Sequence, residues 1–438
     1  MILKLLKYEI GGKKLNILLV SNFEGGFQPN TIATAATPLV KAGFNVEILD
    51  TYVEGLVEEK FKDKQLVAIS VPLFDAVTAG IEVAKKVAEI NPDAHITFFG
   101  QHATINANRL AGRYSDSCIS GEWEHPLTLL AKHLSGETQE SLPGVLSAEQ
   151  AIKGESVHPY MARNHLDIPS RHLLPALHKY PQKQINRLLG SDQVVGSTEI
   201  ARGCHHKCLY CSVFAAYDGK VILVPEEIVL QDVRNLVEGG MTHLTFIDAD
   251  FFNAKYHGIK ILRKLHEEFP ELTYDFTTRV DHILENKKTL AEMKELGVKF
   301  ITSALEFPSE EVLDAVAKDT SVADIEQGIA YLREIDIKLN PTFIMFNPWT
   351  TFEDLTTFRS FVEDNELGNI IDPIQYETRL YLYKGSPLLR KQSIQDLELT
   401  EYEFHYDWKH PDSKIDELYF EMLTPPEEGI FKRCCLKC

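Results

Sequence analysis

Thr198-Glu199-Ile200-Ala201-Arg202-Gly203-Cys204-His205-His206-Lys207-Cys208-Leu209-Tyr210-Cys211 is the stretch on which the reading of this chain turns. A strand-like start, Thr198 to Ile200, runs into a loop whose three cysteines are spaced C-x3-C-x2-C. Three thiolates on one tight loop can hold three corners of a [4Fe–4S] cubane and leave the fourth iron open. A zinc ion is the competing occupant, because Cys204, Cys208 and Cys211 with His205 or His206 make a Cys3His tetrahedron. Tyr210, an aromatic directly before the third cysteine, and the position of the loop after a first strand favour the cluster.

Strand-like and helix-like stretches alternate on both sides of the loop. Downstream, 244–247, 274–277, 300–305 and 342–345 read as strands with helical stretches between them. Residues 194–390 therefore predict a full or partial parallel (β/α) barrel, with its site at the strand C-termini. Upstream, 15–20, 45–49, 66–71 and 95–99 read as strands, and 31–42 and 76–91 as helices. That alternation predicts an α/β, Rossmann-like domain over 1–134. Residues 135–193, with Pro159, Pro169, Pro175 and Pro181, read as a linker and wrapping segment. Residues 391–438 read as a C-terminal segment ending in a cysteine-containing tail.

A formal charge of −19 argues against a nucleic-acid partner, whose phosphates are gripped mainly by Lys and Arg. The start lacks the pattern of a signal peptide, and no run of ~18 apolar residues appears. These readings predict no membrane partner and a reducing, cytoplasmic setting, where clustered cysteines serve metals more often than disulfides. Of the 7 cysteines only Cys118 stands outside the two clusters, the central one and Cys434, Cys435 and Cys438 at the end.

At Cys204, Cys208 and Cys211 the chain resembles the radical S-adenosylmethionine (SAM) superfamily. The resemblance implies that SAM chelates the open iron through its amino and carboxylate groups, and that one electron from the cluster breaks a carbon–sulfur bond. It also implies SAM contacts after successive barrel strands. These are Asp248 and Asp250, placed to hold the ammonium, with Arg279, Ser303 and Glu306 in carboxylate- and ribose-contacting positions and Tyr210 beside the cluster. A strand-end Asp, Arg or Glu can equally cap a helix or form an ion pair. The resemblance further implies a reducing partner such as a flavodoxin or ferredoxin.

Residues 15–134 resemble the cobalamin-binding Rossmann-type domain that precedes the barrel in one radical SAM class, through 37–50, 67–70, 99–103 and 120–124. Cobalamin itself is left open. The Asp-x-His-x-x-Gly loop that supplies a lower histidine ligand is absent, Ser21-Asn22-Phe23-Glu24-Gly25-Gly26 standing in its place, though relatives bind cobalamin without it. His102 is a loop histidine able to approach a corrin.

Cys434, Cys435 and Cys438 can gather three sulfurs around one soft ion, with Lys432, Arg433 and Lys437 favouring the thiolates. Trivalent arsenic prefers three pyramidal sulfur ligands. A second metal centre and a redox relay are the other occupations. The barrel together with Arg433-Cys434-Cys435-Leu436-Lys437-Cys438 resembles the radical SAM enzymes of arsinothricin biosynthesis. That resemblance implies transfer of the 3-amino-3-carboxypropyl group of SAM to As(III), giving hydroxyarsinothricin. A cobalamin-dependent radical SAM methyltransferase and a non-catalytic arsenite- or metal-binding protein are the alternatives.

Overall fold

Ile17, Leu18, Leu19 and Val20 are all buried in the strand Asn16–Ser21 (β1), as in a strand covered on both faces. Around it, in a computed structural model describing residues 14–162 and 165–423, lie Asn45–Asp50 (β2), Leu66–Ser70 (β3), His95–Phe99 (β4) and Ser117–Ile119 (β5). These strands are parallel, in the order β2-β1-β3-β4-β5. The helix Asn30–Lys41 buries Ile32, Ala36 and Leu39 against Leu127 and Leu130 of the helix Glu124–Leu134. Each large aliphatic side chain so covered contributes roughly 1.5–3 kcal/mol.

The expected linker starts inside this sheet. Val145–Ser147 (β6) pairs antiparallel with β5, and the compact unit comprises Met1–Pro181 with Gln231–Gly239. Beyond β6 the chain stays on the unit through polar ties. The Thr37 hydroxyl donates to Ile168 O at 2.7 Å, Gln28 Nε2 to Pro175 O at 2.8 Å, and the Tyr180 hydroxyl to Asp50 Oδ2 at 2.7 Å. Prolines that suggest a linker by composition here belong to a strap fixed by side chains from distant positions.

The other unit comprises Gln182–Leu230 and Gly240–Cys438. Val195–Thr198 (β7) is followed by the short antiparallel pair Ala201–Gly203 (β8) and Val221–Leu223 (β9). His243–Phe246 (β10), Thr273–Thr277 (β11), Val298–Glu306 (β12) and Lys338–Phe343 (β13) then line up parallel beside β7 in chain order. Sequential parallel strands with helical crossovers make a partial (β/α) barrel. β13 lies earlier than the expected 342–345 and takes in Pro341, which an edge strand tolerates and a central one would not. Leu382–Tyr383 (β14), Leu399–Glu401 (β15) and His405–Trp408 (β16) form a small antiparallel sheet. Leu209 and Tyr210 pack against its core of Leu380, Leu382, Leu388, Ile394 and Trp408. Among the described residues no helix is long and apolar enough to cross a membrane. Cys434, Cys435 and Cys438 lie outside the described residues.

Candidate functional site

The cysteine loop is carried inside the β8–β9 pair rather than directly on the first barrel strand. Gly203 makes the entry possible: its φ is +85°, and a Cβ there would lie 2.2 Å from Lys220 O, so no other residue fits. The loop is then tied down at its backbone. Leu209 N–H donates to Val316 O at 3.1 Å, Cys211 N–H to Cys208 O at 3.1 Å, and the Tyr383 hydroxyl to Cys211 O at 3.0 Å.

Cys204, Cys208 and Cys211 are free thiols. Burial raises the Cys204 thiol pKa and pushes Cys211 up to about 11, against the pull of the Phe214 and Val213 N–H groups; the neighbouring thiols push both further up. Cys204 and Cys211 thus resist ionisation by themselves, and a bound cation reverses that, since metal binding drives thiol deprotonation. The donor set therefore fits an iron–sulfur cluster. His205 and His206 gather with His282, their ring nitrogens all within 4.8 Å of one another. That grouping leads away from a Cys3His zinc site.

Several expected SAM contacts are redirected. Asp248 is buried, and its two carboxylate oxygens accept Ile200 N–H at 3.1 Å and Ala201 N–H at 2.7 Å. It ties the end of β10 to the start of β8, and burial raises its pKa well above the carboxylate range. Arg279 donates to Asp281 at 2.9 Å, to Cys208 Sγ at 3.2 Å and to the carbonyl of Lys318. With all three nitrogens engaged, it is not the free carboxylate-binding arginine the resemblance implies. Burial opposes its charge, but Asp281, then Cys208 and Asp250, hold its pKa above the ordinary value. Glu306 turns to Lys318 Nζ at 2.6 Å and to the Tyr210 hydroxyl. A buried carboxylate needs a cation, and Lys318 supplies it. Tyr210 is consumed in the same pair, and burial followed by the Glu306 charge raises its phenol pKa.

Asp250 and Ser303 keep free valence. Asp250 Oδ1 accepts Phe252 N–H at 3.0 Å and the Thr278 hydroxyl at 2.8 Å, with His282 Nδ1 at 3.1 Å. Its Oδ2 is buried, 3.0 Å from His282 Nδ1 and 3.7 Å from His206 Nε2, and takes no well-directed hydrogen bond from either ring; Ser303 Oγ is buried and unpartnered. Burial, then the Arg279 charge, lowers the His206 pKa to about 4, so it presents a neutral ring. A buried carboxylate oxygen with unfilled acceptor capacity and an unpartnered hydroxyl are what an amino acid's ammonium and polar groups require. The sequence reading missed His282 and Lys318, and considered His206 only as a zinc ligand. Thr278-Arg279-Val280-Asp281-His282 carried a local signal in its density of polar groups, whereas Lys318 meets Glu306 only through the fold.

In the first unit, Glu24 occupies the loop where a cobalamin-ligating histidine would stand, and its carboxylate accepts Asn30 N–H at 3.0 Å and Thr31 N–H at 3.1 Å. Anionic capping of this kind stabilises a helix start. His102 is buried on the helix Gln101–Leu110 rather than exposed on a loop, and burial lowers its pKa to about 4. Ser21 Oγ, Asn22 Nδ2 and Ser70 Oγ are buried without partners at the C-terminal ends of β1 and β3. Those orphans fit a polar group of a bound ligand at a switch point of the sheet.

Residues 198–362 match the Radical SAM superfamily, so this part of the chain is a radical SAM domain. Such a domain implies a [4Fe–4S] cluster and SAM. The chain is 26% identical over 333 residues to the hopanoid C-3 methylase of Methylococcus capsulatus, covering 74% of this chain and 62% of that protein. It is 25% identical to the anaerobic magnesium-protoporphyrin IX monomethyl ester cyclase of Cereibacter sphaeroides, covering 73% and 54%. The chain thus spans less than two thirds of these relatives. In fold it matches the cobalamin-dependent SAM radical enzyme OxsB, solved with aqua-cobalamin and SAM, at a TM-score of 0.71 and 15% identity, covering 93% and 66%. The radical SAM methyltransferase TsrM of Kitasatospora setae, solved with cobalamin and a [4Fe–4S] cluster, matches at 0.63 and 17%, covering 81% and 71%.

Proposed function

We propose that the chain cleaves SAM reductively and transfers its 3-amino-3-carboxypropyl group to thiol-bound trivalent arsenic, forming a carbon–arsenic bond. The observation that carries this reading is the trithiol motif Cys434-Cys435-Leu436-Lys437-Cys438 in a chain with a radical SAM domain. Cys204, Cys208 and Cys211 hold the cluster. When bound, and first reduced by a donor such as a flavodoxin or ferredoxin, it supplies one electron to the SAM sulfonium. Asp250 Oδ2 takes the SAM ammonium, and Ser303 Oγ a second polar group of the same molecule. Cys434, Cys435 and Cys438 hold As(III). Homolysis between sulfur and the methionine γ-carbon releases methylthioadenosine, and the arsenic lone pair captures the carbon fragment. That capture leaves an odd electron on arsenic, which would pass back to the cluster oxidised in the cleavage, so that one electron leaves and one returns per turnover and the external donor serves to prime the cluster. Tethering the arsenic makes the encounter intramolecular, an advantage of up to ~7–11 kcal/mol in well-oriented systems.

The test is a Cys434→Ser, Cys435→Ser double variant. The expected outcome is loss of the arsenic product with the iron–sulfur absorbance retained; an unchanged product yield would remove the tail from the chemistry.

A second reading, cobalamin-dependent methyl transfer, is favoured by the unpartnered Ser21, Asn22 and Ser70 and by the folds of OxsB and TsrM. Ser21, Asn22 and Ser70 then hold the polar periphery of the corrin ligand. This reading predicts a corrin absorption spectrum in the purified protein and S-adenosylhomocysteine as coproduct.

A further inference from the structure

The loop after the helix Glu310–Ala315 reaches the cysteine loop at several points. Val316 O accepts Leu209 N–H at 3.1 Å. Lys318 Nζ pairs with Glu306 at 2.6 Å and approaches the Tyr210 hydroxyl at 3.3 Å. The Lys318 carbonyl accepts from Arg279 Nη2, while Arg279 Nη1 donates to Cys208 Sγ at 3.2 Å. Asp281 accepts from Arg279 Nε and Nη2 at 3.0 and 2.9 Å, so four of the five guanidinium N–H groups are engaged and its orientation is fixed.

This arrangement is costly to build. Lys318 and Glu306 are 3% and 2% exposed. Removing one partner of such a buried pair leaves an uncompensated charge. Glu306, Ala317 and Asp319 have φ of +58°, +54° and +53°, conformations disfavoured for residues other than glycine. Glu306 also lies at a register shift between β12 and β13, where a bulge re-aims a side chain. A salt bridge needed only for stability would not have to sit at a strained strand end. Here the strain places Glu306 against Tyr210, beside the second and third cysteines.

The chemical consequence falls on sulfur. Hydrogen bonds and positive charge at a cluster's thiolate ligands stabilise the more negative, reduced state and raise its reduction potential. We propose that Arg279 sets the electron affinity of the cluster through its N–H···S bond to Cys208, and that Lys318 is a positioning residue that holds both Arg279 and Tyr210. This rests on the assignment of Cys204, Cys208 and Cys211 as the cluster ligands. It also accounts for Arg279 being withdrawn from SAM: its position is spent on the sulfur.

The test is an EPR-monitored redox titration of the reconstituted full-length protein, with iron content measured in parallel. Arg279→Met lowers the ratio of reduced to oxidised cluster at a fixed potential by about tenfold, the loss of one hydrogen bond to a charged group. Arg279→Lys, which keeps a cationic donor, recovers part of that loss. Lys318→Met with Glu306→Gln, which removes both charges together, shifts the ratio the same way by a smaller factor. An unchanged ratio in Arg279→Met with full iron content overturns the inference. If Arg279→Met takes up no iron, Arg279→Lys and the double variant decide, and wild-type ratios in both overturn it. Cys208→Ser separates the two assignments: retained full iron there refutes the ligand assignment itself, whereas lost iron leaves the tuning result to stand or fall alone.

Discussion

At the C-terminal ends of β1 and β3 the buried, unpartnered groups are neutral, namely Ser21, Asn22 and Ser70, and the nearby histidine His102 is buried with its pKa lowered to about 4. At the ends of β10, β11 and β12 stand Asp250, Arg279 and Glu306, linked to Cys208, Lys318 and His282. Both edges belong to parallel sheets, and such strand ends are where α/β folds place ligands. The first can cradle a ligand, while the second can also hold charge and manage an electron. The cysteines follow the same division. Cys118 Sγ is buried in β5 near Ala103 O at 3.5 Å, and burial pushes its pKa far up, which makes it a packing residue. Cys208 has a cationic donor at its sulfur.

Removing a central thiol is the strongest way to break the contrast. Cys204→Ser or Cys211→Ser is expected to abolish iron binding and SAM cleavage, whereas Cys118→Ala should keep both and lower stability by about 1–2 kcal/mol through lost packing. Iron analysis and anaerobic SAM turnover check this, and equal iron loss in Cys118→Ala would erase the distinction. Asp250→Asn comes next. Loss of a charge-assisted contact to the SAM ammonium predicts about 10- to 100-fold weaker SAM binding, measured by calorimetry on the cluster-loaded protein. Unchanged affinity would remove Asp250 from SAM binding.

An effect on stability alone lies in the first unit, at Asp50. Burial raises its pKa from 3.8 to about 6 despite the Tyr180 hydrogen bond. The folded state therefore holds a proton that the unfolded chain has released. This contribution to stability is present at low pH and is lost between about pH 4 and 6, by about 3 kcal/mol at most. Asp50→Asn keeps an acceptor for Tyr180 and removes the titration, so its stability relative to the natural chain should rise across that window in urea unfolding. A difference that stays flat with pH would contradict the buried-acid account.

The repeating apolar runs made both sheets legible in the sequence, because a parallel strand covered on both faces announces itself as a continuous hydrophobic stretch. The cysteine loop was legible by spacing alone. Two features were not. β13 takes in Pro341, whose edge placement is a property of the finished sheet, and β6 was hidden in a proline-bearing segment that side chains on the first helix hold in place. Within the site, residue type gave the strand-end acids but not their commitments. Asp248 binds backbone while Asp250 faces His282 and His206, and both lie within one short segment after β10. Arg279 was found, but its partner Cys208 lies 71 positions away and is joined to it only by the fold.

The central claim, that a SAM-cleaving site delivers carbon to thiol-held arsenic, is tested most directly by anaerobic turnover with SAM and arsenite, with products resolved by mass spectrometry. The account predicts methylthioadenosine in proportion to an amino acid bearing a new carbon–arsenic bond. Accumulation of 5′-deoxyadenosine in that proportion, or S-adenosylhomocysteine with a methylated product, would contradict it.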